Sequence, residues 1–438
     1  MPGTAPSTAT PHRSRSVPGP RPRGRPVVPH VTGGRVTASA AGALTVAVLP
    51  VFLLGALSAE VGTELGFAAD GTGVLVTVLF VVAGLTATAA GRVTERLGAD
   101  VALRLGVAVA GTATASVALA DRFWHVAVLY AIVGATIGLV DTGAARRFAD
   151  AVPADRRGTA FGIKEASVPA ASLLAGLALP TVAGALGWRG TFAAALLLAA
   201  VVQLALPRAG HPGLGGGQDQ DRTPDVDAEV DHAEVDHAEV AGGQGALVLL
   251  AVGVGLGAGT ATAAATFLVP SLLAAGSGPG YAGTVLAIAS VAAILARIVL
   301  GRVADDPAHP ALRTVTIALA LGAVGAALLV VGGTVIGTAG ALLVFAAGWG
   351  WTGLVFLAVV RSRPDAPAAA AGTVLTGLAL GGAGGPLAFS ATAARVGYPT
   401  AWTAAAFAMA LAAVAVGATV RPISRRDGAG LSDGRPRG

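Results

Sequence analysis

The chain has 438 residues, of which 54% are hydrophobic and 12% are charged, and its mean hydropathy is +0.73. A water-soluble protein of this length could not cover so much apolar side chain with polar surface, so the composition predicts an integral membrane protein. The sequence contains no Cys, which excludes disulfides, thiolate metal sites and Cys nucleophiles. The net charge is only +5, and the basic residues are spread over tails and helix ends, which argues against nucleic acid as a partner.

The first 35 residues differ from the rest of the chain. Six arginines are scattered there among Pro, Ser and Gly, and the first long apolar run begins near Ala40. That distance is too great for a secretory signal peptide, whose apolar core follows closely on its basic start. The sequence therefore predicts a disordered, basic cytosolic tail over residues 1–35.

Twelve segments are long and apolar enough to cross a bilayer, which takes about 20 residues per helix. They are 39–59, 72–90, 101–120, 123–145, 160–184, 189–207, 246–274, 281–300, 311–332, 335–360, 369–394 and 399–420. Only Asp121 and Arg122 separate the third segment from the fourth. The predicted fold class is all-α, a polytopic membrane protein with twelve transmembrane helices.

An acidic segment divides these helices six and six. Residues 208–245 carry nine carboxylates and include a five-residue repeat, and we expect them to form a disordered cytosolic linker. The predicted bundles are then 36–207 and 246–422, and residues 423–438 form a second cytosolic tail. His232 and His237 lie in the repeat, where a metal site is imaginable, but repeat drift explains them better, so no metal or other cofactor is expected.

The two halves resemble each other at equivalent loops. Gly-Arg-Val follows the second span at 91–93 and the eighth at 301–303, an offset of 210 residues. The same offset relates Gly187-Trp188 to Gly397-Tyr398 before the sixth and twelfth spans. These matches predict a duplicated six-helix unit with a solute path between the halves.

The distribution of positive charge predicts the orientation. With the N-terminus in the cytoplasm, 26 of the 29 Lys and Arg residues fall in cytoplasmic segments, and only Arg122, Arg189 and Arg395 fall outside. Cytoplasmic loops of membrane proteins carry this excess. The sequence therefore predicts that both termini are cytoplasmic and that the number of spans is even.

The loop after the second span, residues 91–104, resembles the signature of the major facilitator superfamily between helices two and three. The matching positions are Gly91, Glu95, Arg96, Gly98 and Arg104, with Glu95 in place of the usual Asp, and Arg92 belongs to the same candidate gating loop. Gly301, Arg302 and Asp305 resemble the degenerate second copy of that signature. The resemblance covers residues 36–422 and implies two pseudo-symmetric six-helix bundles. It also implies that these loop residues hold the cytoplasmic side in one conformation. A polar loop that is basic only because it faces the cytoplasm would have the same sequence pattern.

Charged residues within the spans are candidates for the solute cavity or for coupling, because such residues are costly in a bilayer. Asp141 lies in the fourth span, and Lys164 and Glu165 lie early in the fifth, at a similar predicted depth. Asp141 and Lys164 either pair or extend separately to the interface. The stretch Phe161–Pro169 resembles a variant found in actinobacterial-type facilitators, in which Gln is more common than Glu at position 165.

Three further residues are candidates for the cavity. Arg297, near the end of the eighth span, either binds an anionic solute or extends to the interface. Trp349 and Trp351 lie within the tenth span, where an indole N–H needs a partner, so they either line a wet cavity or pack in the core.

The sequence favours a secondary active transporter of the plasma membrane, and we expect it to be a monomer. It would move a small solute by alternating access, with or without proton coupling. A drug/proton efflux antiporter is one alternative, although Tyr130 stands where such antiporters carry Arg. A non-transporting membrane sensor on the same scaffold is another. An enzyme is not expected, because the His residues lie mostly in tails and loops.

Overall fold

The computed structural model describes residues 3, 31–151, 157–206, 240, 243–306, 309–363 and 366–420. These residues are almost entirely helical, as the sequence predicted. The helices of the N-terminal half are α1 (Val31–Leu65), α2 (Ala69–Leu97), α3 (Ala99–Ser116), α4 (Phe123–Ala151), α5 (Arg157–Glu165), α6 (Ser167–Ala178) and α7 (Gly184–Ala205). Those of the C-terminal half are α8 (Gln244–Ala274), α9 (Pro279–Val303), α10 (Ala311–Val331), α11 (Thr334–Ala346), α12 (Thr352–Ser362), α13 (Pro367–Val396) and α14 (Tyr398–Ala418).

Ten helical stretches of the described residues are long and apolar enough to cross a membrane. One of them, Gly162–Ala205, has 44 residues and contains Gly187, whose φ of 65° and ψ of −177° break the helix. Two shorter apolar helices, α11 and α12, lie where the tenth span was predicted as one uninterrupted helix. The count of ten is lower than the predicted twelve for two reasons. Gly162–Ala205 is one continuous stretch where two spans were predicted, and α11 and α12 are each shorter than a full span.

Two predicted spans are interrupted. In the fifth, α5 ends at Glu165, α6 begins at Ser167, and a π-helical turn follows at Leu179–Ala183 around Pro180. In the tenth, turns separate α11 from α12 within a Gly- and Trp-rich stretch at 347–351. The low helix propensity of Gly and the missing N–H of Pro account for breaks at these sequences.

Some predicted boundaries need correction. Helix α1 begins at Val31, inside the segment 1–35 that was predicted to be disordered. Helix α8 begins at Gln244, inside the predicted linker 208–245. Of that linker the structure also describes Val240, which forms an antiparallel bridge with Val420. The other residues of the predicted tails and linker that lie outside the described residues are 1–2, 4–30, 208–239, 241–242 and 423–438.

Close contacts between the halves follow three helix pairs, which are α1 with α8, α2 with α13, and α5–α6 with α9. Glycines permit each approach. A Cβ on Gly55 would clash with the carbonyl of Thr266, one on Gly73 would clash with Ser390, and one on Gly176 would lie 2.8 Å from the carbonyl oxygen of Gly283. Small residues at such crossings let helix backbones pack closely in membrane proteins.

One end of the bundle carries the α2–α3 and α9–α10 connections, and we call it the basic end. Here the two outer seams differ. A Cβ on Gly162 of α5 would lie 2.6 Å from the carbonyl oxygen of Arg297 on α9. Gly372 of α13 stands at the equivalent position, 210 residues on, and no described atom lies within 4 Å of a Cβ placed there. The seam between α5 and α9 is therefore closed at the basic end, whereas α2 and α13 separate.

Candidate functional site

The charged residues of the fourth and fifth spans form one cluster. Lys164 Nζ lies 2.6 Å from Asp141 Oδ1 and 3.3 Å from Glu165 Oε1. The Lys164 side chain is only 7% exposed, whereas that of Asp141 is 47% exposed. The sequence left open whether Asp141 and Lys164 pair, and in the structure they do. A buried ammonium held between two carboxylates avoids much of the cost of an uncompensated charge.

This cluster reaches across to the other half of the protein. Thr352 Oγ1, at the start of α12, donates to Glu165 Oε2 over 3.4 Å. The Glu165 carboxylate therefore contacts Lys164 in its own half and Thr352 in the opposite half. The adjacent pair Lys164-Glu165 connects the ion pair on α4 and α5 to the interface between the halves.

Arg297 is 3% exposed and does not extend to the interface. Its Nη1 donates to the carbonyl oxygen of Glu165, and its Nε and Nη2 donate to the carbonyl oxygen of Trp349 over 3.3 and 2.8 Å. The Glu165 carbonyl is available because its helical partner would be the N–H of residue 169, which is Pro169. Arg297 thus joins a backbone break in one half to a backbone break in the other.

The two tryptophans have different surroundings. Trp349 lies within ring contact of Phe52 and Phe345, at 5.7 and 5.5 Å between centroids, and Arg297 Cζ is 5.0 Å from its ring centroid. Trp351 is fully buried in the core of the C-terminal half, and its Nε1 donates to the carbonyl of Gly348 over 2.7 Å. Both tryptophans therefore pack in the core, and Trp349 in addition adjoins the charged cluster through Arg297.

A cavity of about 220 Å³ lies beside this cluster, between α5, α9 and α12. Glu165 and Arg297 are the charged residues on its wall, and Leu300, Phe356 and Leu357 contribute apolar surface. A larger cavity of about 800 Å³ lies between α8, α13 and α14, and no charged side chain lines it. The smaller cavity is therefore the one equipped to recognise a charged group.

The second copy of the loop signature makes a contact between the halves. Asp305 accepts a hydrogen bond from the backbone N of Thr159 over 3.2 Å and another from the Thr159 hydroxyl. Thr159 lies in the first turn of α5, where the helix dipole and unpaired N–H groups favour a carboxylate. Gly301 lies on the same seam, since its Cα would be 3.1 Å from a Cβ on Gly162.

The first copy of the signature is arranged differently. Glu95, Arg92 and Arg96 are exposed, and within the described part of the chain no hydrogen bond or ion pair of the Glu95 carboxylate is found. Gly98 ends α2 with a φ of 83°, which favours Gly, and its N–H bonds to the Thr94 carbonyl. Arg104 donates to the carbonyl of Leu206 over 2.7 Å. Gly91 lies on the open side, with no described atom within 4 Å of an added Cβ. Arg302 is exposed.

Several contacts that connect the site had no clear sequence signal. Thr159 and Thr352 are ordinary threonines in a chain that contains many. Ser290 Oγ donates to Ser172 Oγ over 3.0 Å, and both residues are fully buried between the halves. Each hydroxyl depends on a partner more than a hundred residues away, so composition and spacing could not identify it.

The fold and the site define a class of protein: a polytopic helical membrane protein whose two halves meet around buried, paired charges. A family model described as Major Facilitator Superfamily matches residues 37–386. The chain therefore belongs to the major facilitator superfamily. Membership of this family indicates a membrane transporter.

Three solved transporter structures resemble the chain. A mutant of the nucleoside transporter NupG has a TM-score of 0.65 at 14% identity, covering 88% of this chain and 100% of that one. A D-xylose–proton symporter has a TM-score of 0.65 at 14% identity, covering 90% and 98%. The human organic anion transporter MFSD10 has a TM-score of 0.59 at 17% identity, covering 88% and 99%. At these identities the likeness establishes the fold alone. A search of curated protein sequences gave no match.

Proposed function

We propose that the protein is a secondary active transporter that moves a small solute across the plasma membrane by alternating access between its two halves. The observation that carries this proposal is the cluster of Asp141, Lys164, Glu165 and Arg297, which lies where the halves meet. A transporter of this type needs polar groups at that interface, because contacts there are remade each time the halves rock. Family membership and the similar transporter structures support the same function.

The proposed topology has twelve spans, with both termini in the cytoplasm. It treats Gly162–Ala205 as two spans separated at Gly187, and α11 with α12 as one interrupted span. The basic end of the bundle then faces the cytoplasm, in agreement with the excess of Lys and Arg there. The separation of α2 from α13 at that end corresponds to a conformation open toward the cytoplasm.

The loop residues act as gates in this proposal. Asp305 holds the first turn of α5 in the present conformation. Glu95 occupies the equivalent position 210 residues earlier, and the first turn of α13 is the equivalent of the first turn of α5. Closing the cytoplasmic side would bring Glu95 to that turn of α13, and a contact made in only one state shifts the balance between states.

Proton coupling is proposed at Asp141. Its carboxylate is half exposed, so water can deliver a proton, and it is paired with the buried Lys164. Neutralising Asp141 removes one of the two counter-charges of Lys164 and leaves the ammonium to Glu165. Because Glu165 also contacts Thr352 in the other half, a proton on Asp141 changes the contact between the halves.

The test is solute flux into proteoliposomes under an imposed pH gradient, screened over a solute library. We expect the wild type to accumulate its solute when the pH gradient is imposed. Asp141→Asn should lose gradient-driven accumulation by about tenfold or more while still exchanging solute down its concentration gradient. Asp121→Asn, two residues before the opposite end of the same span, should behave as the wild type. Unchanged pH dependence in Asp141→Asn would exclude Asp141 as the coupling residue.

Two alternatives are separated by the same experiment. A drug/proton antiporter would expel cationic drugs against the pH gradient. The position where such antiporters carry Arg holds Tyr130, which is fully buried and whose hydroxyl donates to the carbonyl of Pro50 over 2.6 Å. A non-transporting sensor would bind a ligand without flux of any solute in the library.

A further inference from the structure

We propose that Arg297 binds the carboxylate of a small organic anion and that the adjoining cavity holds the apolar body of that anion. This inference rests on the proposed transport function and names the class of solute. It begins with the hydrogen bonds of the Arg297 guanidinium. The group has five N–H donors. Three of them are directed at two backbone carbonyls, those of Glu165 and Trp349, which leaves one N–H on each terminal nitrogen.

Three of the N–H groups of Arg297 have hydrogen-bond partners, but its positive charge is not compensated by a directly paired anion of the described chain. Both acceptors are neutral carbonyls, and among the described residues no carboxylate forms an ion pair with the guanidinium. The nearest acid in the cluster, Glu165, has its carboxylate divided between Lys164 and Thr352. A buried cation without a directly paired anion is costly, so this position gains from an anion supplied from outside the chain.

The guanidinium is also held in a fixed orientation. Two backbone carbonyls, one from each half of the protein, accept its hydrogen bonds, and the ring of Trp349 lies 5.0 Å from Arg297 Cζ. An arginine that is already ordered loses little further freedom when it binds a planar carboxylate through its two terminal nitrogens. A phosphate or a carboxylate could use this fork, and the size and lining of the cavity distinguish them.

The cavity favours a carboxylate with an apolar body. Its volume of about 220 Å³ suits a small molecule, and the wall away from Glu165 and Arg297 consists of Gly, Ala and large apolar side chains such as Leu300, Leu354 and Phe356. A dianionic phosphate would find one cation and one carboxylate there. An aliphatic or aromatic monocarboxylate would place one charge on Arg297 and its remaining atoms on apolar surface.

The position of Trp349 provides a direct readout of binding. We would titrate purified protein in lipid nanodiscs with acetate, benzoate and octanoate, each against its neutral amide, and record tryptophan fluorescence. Because the Trp349 ring lies against Arg297, we expect a saturable change with benzoate or octanoate, and binding at least about tenfold weaker for the matching amide. Trp349→Phe should lose most of the signal, which would assign the fluorescence change to this ring.

Variants at Arg297 test the residue itself. Arg297→Gln should abolish carboxylate binding, and Arg297→Lys should weaken it by about tenfold, because Lys keeps the charge and loses the planar fork. Arg313→Gln, on the exposed start of α10, is the matched control and should bind as the wild type. If Arg297→Gln does not fold, the comparison of each carboxylate with its amide in the wild type still tests the proposed site.

The inference is overturned if the wild type binds none of the three carboxylates, or binds carboxylate and amide equally well. The flux screen separates this failure from failure of the proposed function. Gradient-driven flux of a neutral or cationic solute, without carboxylate binding, would leave the transporter standing and remove only the assignment of Arg297. Absence of flux for every solute, with carboxylate binding intact, would contradict transport and retain the anion site.

Discussion

At the scale of single residues, the pairing of Lys164 and Asp141 should be visible in stability. Replacing Lys164 by Met leaves two carboxylates in the cluster without their ammonium. We expect a loss of about 1–3 kcal/mol, below the value for a fully buried pair because Asp141 is half exposed. Thermal unfolding of purified protein in detergent, followed by circular dichroism, measures the loss.

A double-mutant cycle attributes that loss to the pair. Because Asp141→Asn removes one of the unpaired carboxylates, the double variant with Lys164→Met should be destabilised less than the sum of the two single variants. Strictly additive losses would mean that the 2.6 Å contact contributes nothing to the folded state.

Charge and approximate depth are the residue-level properties that the sequence makes readable. Asp141 and Lys164 were placed at the same depth because they lie on adjacent antiparallel spans, and they meet. The partners of Arg297 could not be predicted, because both are backbone carbonyls, which any residue carries. Pro169 was the one available sign, since it leaves the carbonyl four residues earlier without its helical partner.

At the scale of helices, the glycine-rich seventh and eleventh spans pack α8 directly against α13. A Cβ on Gly381 would clash with the carbonyl of Gly255, whereas no described atom lies within 4 Å of a Cβ on Gly384. Gly381→Ala should therefore lower the unfolding midpoint strongly. Gly384→Ala should leave it unchanged or raise it slightly, because Ala favours helix over Gly by up to about 1 kcal/mol.

Both variants add one methyl group to the same helix, so the pair is closely matched. Unfolding midpoints in detergent and the yield of folded protein give the comparison. Equal midpoints for the two variants would show that α8 and α13 are not in contact at Gly255 and Gly381 in solution.

Hydropathy predicted where the apolar helices lie, because that property depends on composition over about 20 residues. The breaks at 166 and 347–351 depend on individual backbone hydrogen bonds, to which a sliding average is insensitive. Proline and glycine mark both places in the sequence, but the same residues occur in many uninterrupted helices here, including Pro50 in α1 and Pro270 in α8. Which of these Pro and Gly residues interrupt a helix is visible only in the packed structure.

At the scale of the whole molecule, the two outer seams should differ in access from water. The chain has no Cys, so a single introduced thiol can be followed alone. Gly372→Cys, on the separated part of α13, should react rapidly with a water-soluble maleimide. Gly382→Cys lies on the same helix where it packs against α2, is buried, and should react slowly. Similar labelling rates would contradict the separation of α2 and α13 at the basic end.

The duplication predicted from the offset of 210 residues gives equivalent positions in the two halves, but it could not predict that the halves would be used unequally. Asp305 contacts the first turn of α5, while its equivalent Glu95 is exposed. A repeated sequence specifies two similar sites. Which one is engaged depends on the conformation, and conformation is a property of the assembled bundle.

The empty space beside Gly372 has a consequence for controlling this protein. A large side chain fits there now, but it would not fit if α13 approached α2 as closely as α5 approaches α9 at Gly162. Gly372→Trp would therefore favour the conformation in which α2 and α13 are apart, without contacting the charged cluster. The size of a single side chain, far from the solute, would then set how long the protein dwells in that conformation.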